Sequence, residues 1–412
     1  MANAVEIRKT AVVSGEASKL PASKSISNRA LIINALAGGS SQLANLSDAN
    51  DTRLMQRLIR EPGPSIDVED AGTTMRFLTA YFAITDQRKV LTGTPRMKER
   101  PIGILVDALR TIGATITYKE KEGYPPHETE GFTRQIENSL RIRGDVSSQY
   151  ISALMMVAPA LPEGLTLEFL GKVGSRPYIE MTAALMQHFG VHCRLSDTAV
   201  AISHQPYQPN AFTVESDWSA ASYWFALVAL SKEAAITLPR LSLPSLQGDH
   251  QIVEIMKVLG VQAEQQGSVL ALNKSPHRGA LSWDFTHCPD LAQTVCVVCA
   301  AKGITGHFTG LESLRIKETD RIAALQEQLA KIGAALIEED PAHWTLRPSG
   351  DLPVSATFDT YEDHRMAMAF APLATQMDVT ILEPHVVRKS YPNYWNDLLS
   401  VGLPVRFEKD GD

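Results

Sequence analysis

A run of apolar positions at helical spacing, closed by leucine, a short spacer and glycine, leads repeatedly into a strand of alternating apolar residues. It reads Leu105-Val-Asp-Ala-Leu-Arg-Thr-Ile-Gly113, then Leu185-Met-Gln-His-Phe-Gly190 and Ile255-Met-Lys-Val-Leu-Gly260. It returns as Leu325-Gln-Glu-Gln-Leu-Ala-Lys-Ile-Gly333 and Leu398-Leu-Ser-Val-Gly402. The glycines lie 77, 70, 73 and 69 residues apart, each where a helix end takes the left-handed conformation. A second marker keeps the same period. Helix starts with small, polar or charged residues fall at Ser25, Thr73, Ser147, Ser219, Asp290 and Asp363. Each leads into an apolar helix, such as Tyr223-Trp-Phe-Ala-Leu-Val-Ala-Leu, and then a strand, such as Leu165-Thr-Leu-Glu-Phe-Leu.

The pattern predicts six αβ modules of about 70 residues, longer than the common solenoid repeats. The first interval is about 25 residues short, and Pro62, Gly63 and Pro64 make the 58–70 segment a loop in place of a strand and turn. That module is trimmed. The Pro-, Gln- and Asn-rich stretch Ser203-His-Gln-Pro-Tyr-Gln-Pro-Asn marks a domain junction with about three modules on each side.

Composition narrows the classes. At 412 residues the chain is too long for one ordinary core. A formal charge of −7 excludes a global basic field for nucleic acid, so anion binding must be local. Cys296 and Cys299 form a CxxC inside an apolar helical run, without a second pair of ligands, and read as buried thiols in a reducing compartment. No apolar stretch reaches the ~20 residues of a membrane span, and the charged N-terminus does not read as a signal peptide. The expectation is a cytoplasmic protein.

The helix mouths carry the candidate chemistry. Pro21-Ala-Ser-Lys-Ser-Ile-Ser-Asn-Arg29 gathers hydroxyls, Lys24 and Arg29 where backbone N–H groups are unpaired; Ser25 and Arg29 share a helix face. The stretch reads either as a phosphate site or as a capped helix with solvated cations. Gly72 opens another helix, and Arg96, Lys98 and Arg100 crowd a loop before Pro101. Ser147, Ser148 and Gln149 offer donors at a helix mouth, and Ser175 and Tyr178 do so in a loop. Further on, a helix is expected from about Leu314, with Lys317 and Arg321 co-facial at i,i+4 and Glu318 at i,i+3 from Arg321. Glu318 beside two cations is a structural ion pair or a positioned acid/base. Asp290 is an N-cap or a base. His364 and Arg365 at a helix start oppose the dipole and call for an anion. Arg388 and Lys389 add cations. These groups fall in both halves and suggest chemistry on phosphorylated or carboxylated small molecules in an interdomain cleft. No GxxxxGK[ST] and no GxGxxG is present, which disfavours P-loop and dinucleotide enzymes.

Six stretches together carry a resemblance that runs essentially end to end. They are Pro-x-Ser-Lys-Ser-x-Ser-Asn-Arg (21–29), Ala-Gly-Thr-x-Met-Arg (71–76), Pro-Arg-Met-Lys-Glu-Arg-Pro-Ile (95–102), Ser-Ser-Gln-Tyr (147–150), Arg-Ile-Lys-Glu-Thr-Asp-Arg (315–321) and Asp-His-Arg-Met-Ala-Met (363–368). In these the sequence resembles the 5-enolpyruvylshikimate-3-phosphate synthase family of enolpyruvyl transferases. The resemblance implies an α/β fold, a two-domain inside-out αβ barrel of six βαβαββ-type repeats. It implies one domain over 21–214 and another over 1–20 with 215–412, hinged near 20–21 and 214–217 and closing on substrate. It implies transfer of the enolpyruvyl group of phosphoenolpyruvate to the 5-hydroxyl of shikimate-3-phosphate, by addition and elimination through a tetrahedral intermediate. No cofactor or metal is expected, the partners are the two small-molecule substrates, and the protein is a monomer.

Carried over by residue, Lys24, Ser25, Arg29, Ser147, Ser148, Gln149, Ser175, Tyr178, Asp290, Ser313 and Lys317 would contact shikimate-3-phosphate. Lys24, Gly72, Arg100, Gln149, Arg321, Arg365 and Lys389 would contact phosphoenolpyruvate. Asp290 would accept the 5-hydroxyl proton, Glu318 would protonate the methylene carbon, and Lys24 would serve the leaving phosphate. Gly72 implies glyphosate sensitivity. Asp70 and Ser313 stand where the family commonly has Asn, and Phe77 where Pro is frequent. The sister enzyme acting on UDP-N-acetylglucosamine is disfavoured because its loop cysteine has no counterpart in 95–101. A non-catalytic anion binder is disfavoured by retention of both carboxylates.

Overall fold

Gly113, Gly190, Gly260, Gly333 and Gly402 all take positive φ, between 69° and 115°, in the computed structural model. The repeat's punctuation is therefore real backbone geometry: a Cβ in that region meets the neighbouring carbonyl, and glycine avoids it. The structure describes residues 3–85, 87–144, 147–171 and 173–408.

The chain divides into two compact units, Met1–Ala22 with Glu215–Asp412, and Ser23–Val214. In the 23–214 unit, three helices pack on one another: Lys24–Leu36, Gly72–Ile84 and Ser148–Val157. Most of their residues are buried on every side, because they are apolar around the whole circumference. Amphipathic helices such as Gly103–Ile112 bury only one stripe. Two four-stranded sheets accompany them, and a third is only the parallel pair Leu43–Ala44 and Phe212–Thr213.

The other unit repeats the plan. Trp218–Leu230, Ala292–Ala301 and His364–Phe370 are its mutually packed, buried helices, joined by three four-stranded sheets. Two strands come from the beginning of the chain. Ala4–Ile7 lies between Asp378–Leu382 and Val405–Glu408, antiparallel to both. Val12–Glu16 runs parallel to Glu233–Pro239 at the edge of a second sheet. Helices enclosed by sheets, in place of a sheet covered by helices, constitute the inside-out arrangement.

The buried helices begin within two residues of the six polar markers. Three local expectations need correction. The 58–70 segment is not a loop throughout: the helix Asn50–Leu58 ends there, and Ser65–Asp67 forms a short strand against Lys89–Thr92. The deficit shows in the two-stranded sheet instead. Tyr178 is not in a loop, since Ser175 is the N-cap residue of the helix Arg176–His188. No helix runs through 314–321. A 3-10 turn, Glu312–Ile316, stops, Lys317 is extended, and Arg321–Ala330 starts after the N-cap Asp320.

Candidate active site

In the 23–214 unit, the three buried helices and Arg176–His188 present the residues singled out by sequence. Ser23 caps the first helix, its Oγ accepting from Ile26 N, so that Lys24 and Ser25 stand in the first turn. Lys24 Nζ is 3.1 Å from Asp51 Oδ2, an ion pair with little exposure. Arg29 is buried. Its Nε donates to Thr182 Oγ1 at 2.7 Å, its Nη2 to Ser152 Oγ at 3.0 Å and its Nη1 to Ser25 O at 2.9 Å. The guanidinium lies 5.3 Å from the Phe77 ring centroid and 5.7 Å from that of Tyr178. Burial pushes its pKa down to about 10, still cationic at neutral pH. Phe77, one of the family departures, thus packs on Arg29.

Gly72 shows why it lacks a side chain. A Cβ there would come within 2.8 Å of both Arg100 Nη1 and Arg76 Nη1. Two guanidinium groups therefore converge on a helix start, where partial positive charge already resides, and the arrangement calls for an anion. Arg76 Nη1 donates to Gln149 Oε1 at 2.7 Å, and Gln149 Nε2 donates to Thr73 Oγ1 at 3.0 Å. Ser147 caps its helix by accepting from Gln149 N, which places Ser148 and Gln149 in the first turn. Sequence reasoning assigned no role to Arg76, although it lies in a quoted motif. It also missed Asp51, for which no sequence signal exists.

In the other unit the structure draws Asp290, Glu318, Lys317, Arg321, Arg365 and Lys389 into one network. Asp290 Oδ1 accepts from Arg321 Nη1 at 3.0 Å and Oδ2 from Arg365 Nη2 at 2.9 Å; Lys317 Nζ lies 3.9 Å from Oδ1. Arg321, almost wholly buried, also reaches Glu318 Oε2 at 3.0 Å and Asp363 Oδ2 at 2.6 Å. Lys389 Nζ is 3.6 Å from Glu318 Oε1. Lys317 and Arg321 thus meet through Asp290, not through helical spacing. Ser313 lies on the 3-10 turn Glu312–Ile316 that precedes Lys317.

Asp290 does not cap the helix it precedes. Ala292–Ala301 has no side-chain cap, and the Asp290 carboxylate goes to the two arginines instead. The anion that Arg365 demanded at its helix start is present: Asp363 caps the helix by accepting from Arg365 N, and Asp290 pairs with the guanidinium. Burial works to raise the Asp290 pKa, but Arg365, Lys317 and Arg321 outweigh it and hold the carboxyl below the usual carboxylate range. For Lys317, burial is the largest influence and lowers its pKa. For Arg321, burial is outweighed by Asp363, Glu318 and Asp290, and its pKa rises. A carboxylate flanked by cations, with a second carboxylate across a shared arginine, can exchange protons with a bound substrate once an incoming anion draws the cations away.

The chain matches the EPSP synthase (3-phosphoshikimate 1-carboxyvinyltransferase) family over residues 7–70 and 61–398. It is 48% identical over 395 residues to a 3-phosphoshikimate 1-carboxyvinyltransferase of Bacteroides fragilis (strain YCH46), covering 94% of this chain and 95% of that protein. It is 36% identical to the enzyme of that name from Sulfurovum sp. (strain NBC37-1), covering 97% and 99%. The fold is similar to a solved EPSP synthase of Acinetobacter baumannii, with a TM-score of 0.79 at 17% identity, over 98% of this chain and 100% of that one.

Proposed function

We propose a division of labour among these residues from one premise: the chain belongs to the EPSP synthase family and transfers the enolpyruvyl group of phosphoenolpyruvate to shikimate-3-phosphate in aromatic amino-acid biosynthesis. The observation that carries the assignment is Asp290 held between Arg321 and Arg365.

Ser25, Arg29, Ser147, Ser148, Ser175 and Tyr178 bind shikimate-3-phosphate, and Ser313 and Lys317 are assigned to the same substrate. Arg29 gives three of its N–H donors to protein groups, so it contributes its remaining donors and its charge. Gly72, Arg100 and Gln149 take the phosphate of phosphoenolpyruvate, and we add Arg76 to that set. Arg321, Arg365 and Lys389 take its carboxylate, where a planar guanidinium forms paired hydrogen bonds.

In the resting protein the cations make Asp290 a poor base. An anion arriving on Arg365 and Lys317 offsets their charge and raises its affinity for a proton. Asp290 then accepts the 5-hydroxyl proton as that oxygen attacks C2, and Glu318 delivers a proton to C3, giving the tetrahedral intermediate. In elimination Glu318 takes a proton back from C3, and the C2–phosphate oxygen bond breaks. Lys24, held by Asp51, gives its proton to the departing phosphate. Phosphate release from the purified protein with both substrates tests the reading, and no release with either substrate order overturns it. Glu318→Gln should abolish incorporation of solvent deuterium at C3; undiminished incorporation removes Glu318 from the role. The protein acts as a cytoplasmic monomer, which light scattering at its 45.0 kDa mass checks.

Gly72→Ala should raise the KM for phosphoenolpyruvate by about tenfold, the equivalent of ~1.4 kcal/mol, because the new methyl displaces the tips of Arg76 and Arg100. Both tips can swing aside, so thermal stability should stay near that of the wild type. Glyphosate inhibition should weaken in parallel if the inhibitor occupies the same cradle. An unchanged KM would contradict this placement.

A further inference from the structure

Asp249 is a buried carboxylate that the mechanism does not use. It lies in the 3-10 turn Gly248–Gln251 and is 3% exposed. Ser219, in the first turn of Trp218–Leu230, donates its hydroxyl to Oδ2. Oδ1 is buried with no hydrogen-bond partner among the described residues. An ionised carboxylate has several acceptor sites and, out of water, demands donors or a cation on both oxygens. One hydroxyl does not meet that demand, so the geometry favours the protonated acid. Burial and the charge of Asp290 agree with this, raising the Asp249 pKa to about 7.

The ionisable groups acting on Asp249 come from several elements. Asp290 and Asp217 disfavour its charge, and Arg365 favours it. The Cys288 thiol senses the same carboxylate and is itself pushed up to about 12, chiefly by burial. On its own turn His250 is engaged with the Gln247 carbonyl. On the next helix Glu254 and Lys257 pair with each other in an exposed position. Asp249 therefore faces the network that holds Asp290. Counted by formal charge, Lys317, Arg321, Arg365 and Lys389 exceed Asp290, Glu318 and Asp363 by one. Ionised Asp249 would cancel that surplus.

We propose that Asp249 is a positioning residue whose protonated form leaves the surplus positive charge around Arg365 available to phosphoenolpyruvate, and that its ionisation weakens donor binding. The proposal rests on the assignment of Arg365 to phosphoenolpyruvate. It is tested by comparing the wild type with Asp249→Asn, whose amide is neutral at every pH and still accepts from Ser219. The ratio of wild-type to variant KM for phosphoenolpyruvate should climb about tenfold from pH 6 to pH 9, one pKa unit of interaction. Taking the ratio cancels ionisation of the substrates' own phosphates. A ratio that stays flat overturns the proposal.

Carbon-13 NMR of aspartate-labelled wild-type protein gives a second readout that needs no ligand and no stable variant at 249. One side-chain carboxyl should titrate near neutrality, and Ser219→Ala, which removes the donor to its anion, should move that midpoint upward. If every aspartate titrates below pH 5, the proposal fails. A climbing ratio confined to the KM for shikimate-3-phosphate overturns the assignment of Arg365, with the NMR titration separating that failure from a failure of Asp249 itself.

Discussion

Asp290→Asn lowers turnover by about 10²–10⁴-fold, the usual contribution of a positioned general base, while phosphoenolpyruvate binding is kept or tightened. The asparagine retains the shape of the side chain but accepts no proton from the 5-hydroxyl. It also removes the negative charge that Arg321 and Arg365 bind in the resting protein, so both guanidinium groups face the donor less occupied. Steady-state phosphate release together with a direct binding titration checks both parts. Turnover within tenfold of the wild type would remove Asp290 from the role of base. Weakened binding with normal turnover would recast it as a ligand anchor.

Arg321→Met lowers stability by about 3–5 kcal/mol, the cost of breaking a buried ion network by deleting one partner. Three carboxylates, Asp290, Glu318 and Asp363, share that one guanidinium. Tm should fall by on the order of 10 °C for a unit of this size, and activity should vanish. The sign of the pH dependence follows from Asp290. Its pKa is depressed in the folded protein, so its stabilising contribution is present above the unfolded value near 3.9 and is lost as pH falls through the lower folded value. The deficit in Tm should therefore hold from pH 7.5 to pH 5 and narrow only below about pH 4, where the wild type loses that contribution. A deficit that widens on acidification, or no deficit at all, would show that the guanidinium does not hold the network together.

Periodic features were legible in the sequence because they depend on local backbone geometry. Gly113 through Gly402 announce helix ends by residue type alone, and Ser23, Ser147 and Asp363 cap helices by bonds within three residues. The fold class followed from six such modules and from the family resemblance, and the solved relatives share it. Contacts between distant segments were not legible. Nothing near Lys24 in the chain points to Asp51, and nothing near Gly72 shows that Arg100 crowds it. The i,i+4 reading of Lys317 and Arg321 failed because the capping tendency of Asp320 at the helix start outweighed continuation through 317. Asp290 fits both an N-cap and a base in sequence; only the positions of Arg321 and Arg365, 31 and 75 residues away, distinguish the two.

The early strand Ala4–Ile7 has a bearing on how the polypeptide matures as it leaves the ribosome. Its two neighbours in the sheet, Asp378–Leu382 and Val405–Glu408, are synthesised about 370 and 400 residues later. At about 5–20 residues per second, roughly 10–40 s separate completion of residue 214 from that of residue 408. The 23–214 unit can assemble within that interval, whereas Val5 and Ile7, fully buried in the finished protein, wait with both strand edges open. The nascent chain therefore carries an unpaired apolar strand until residue 408 has been added.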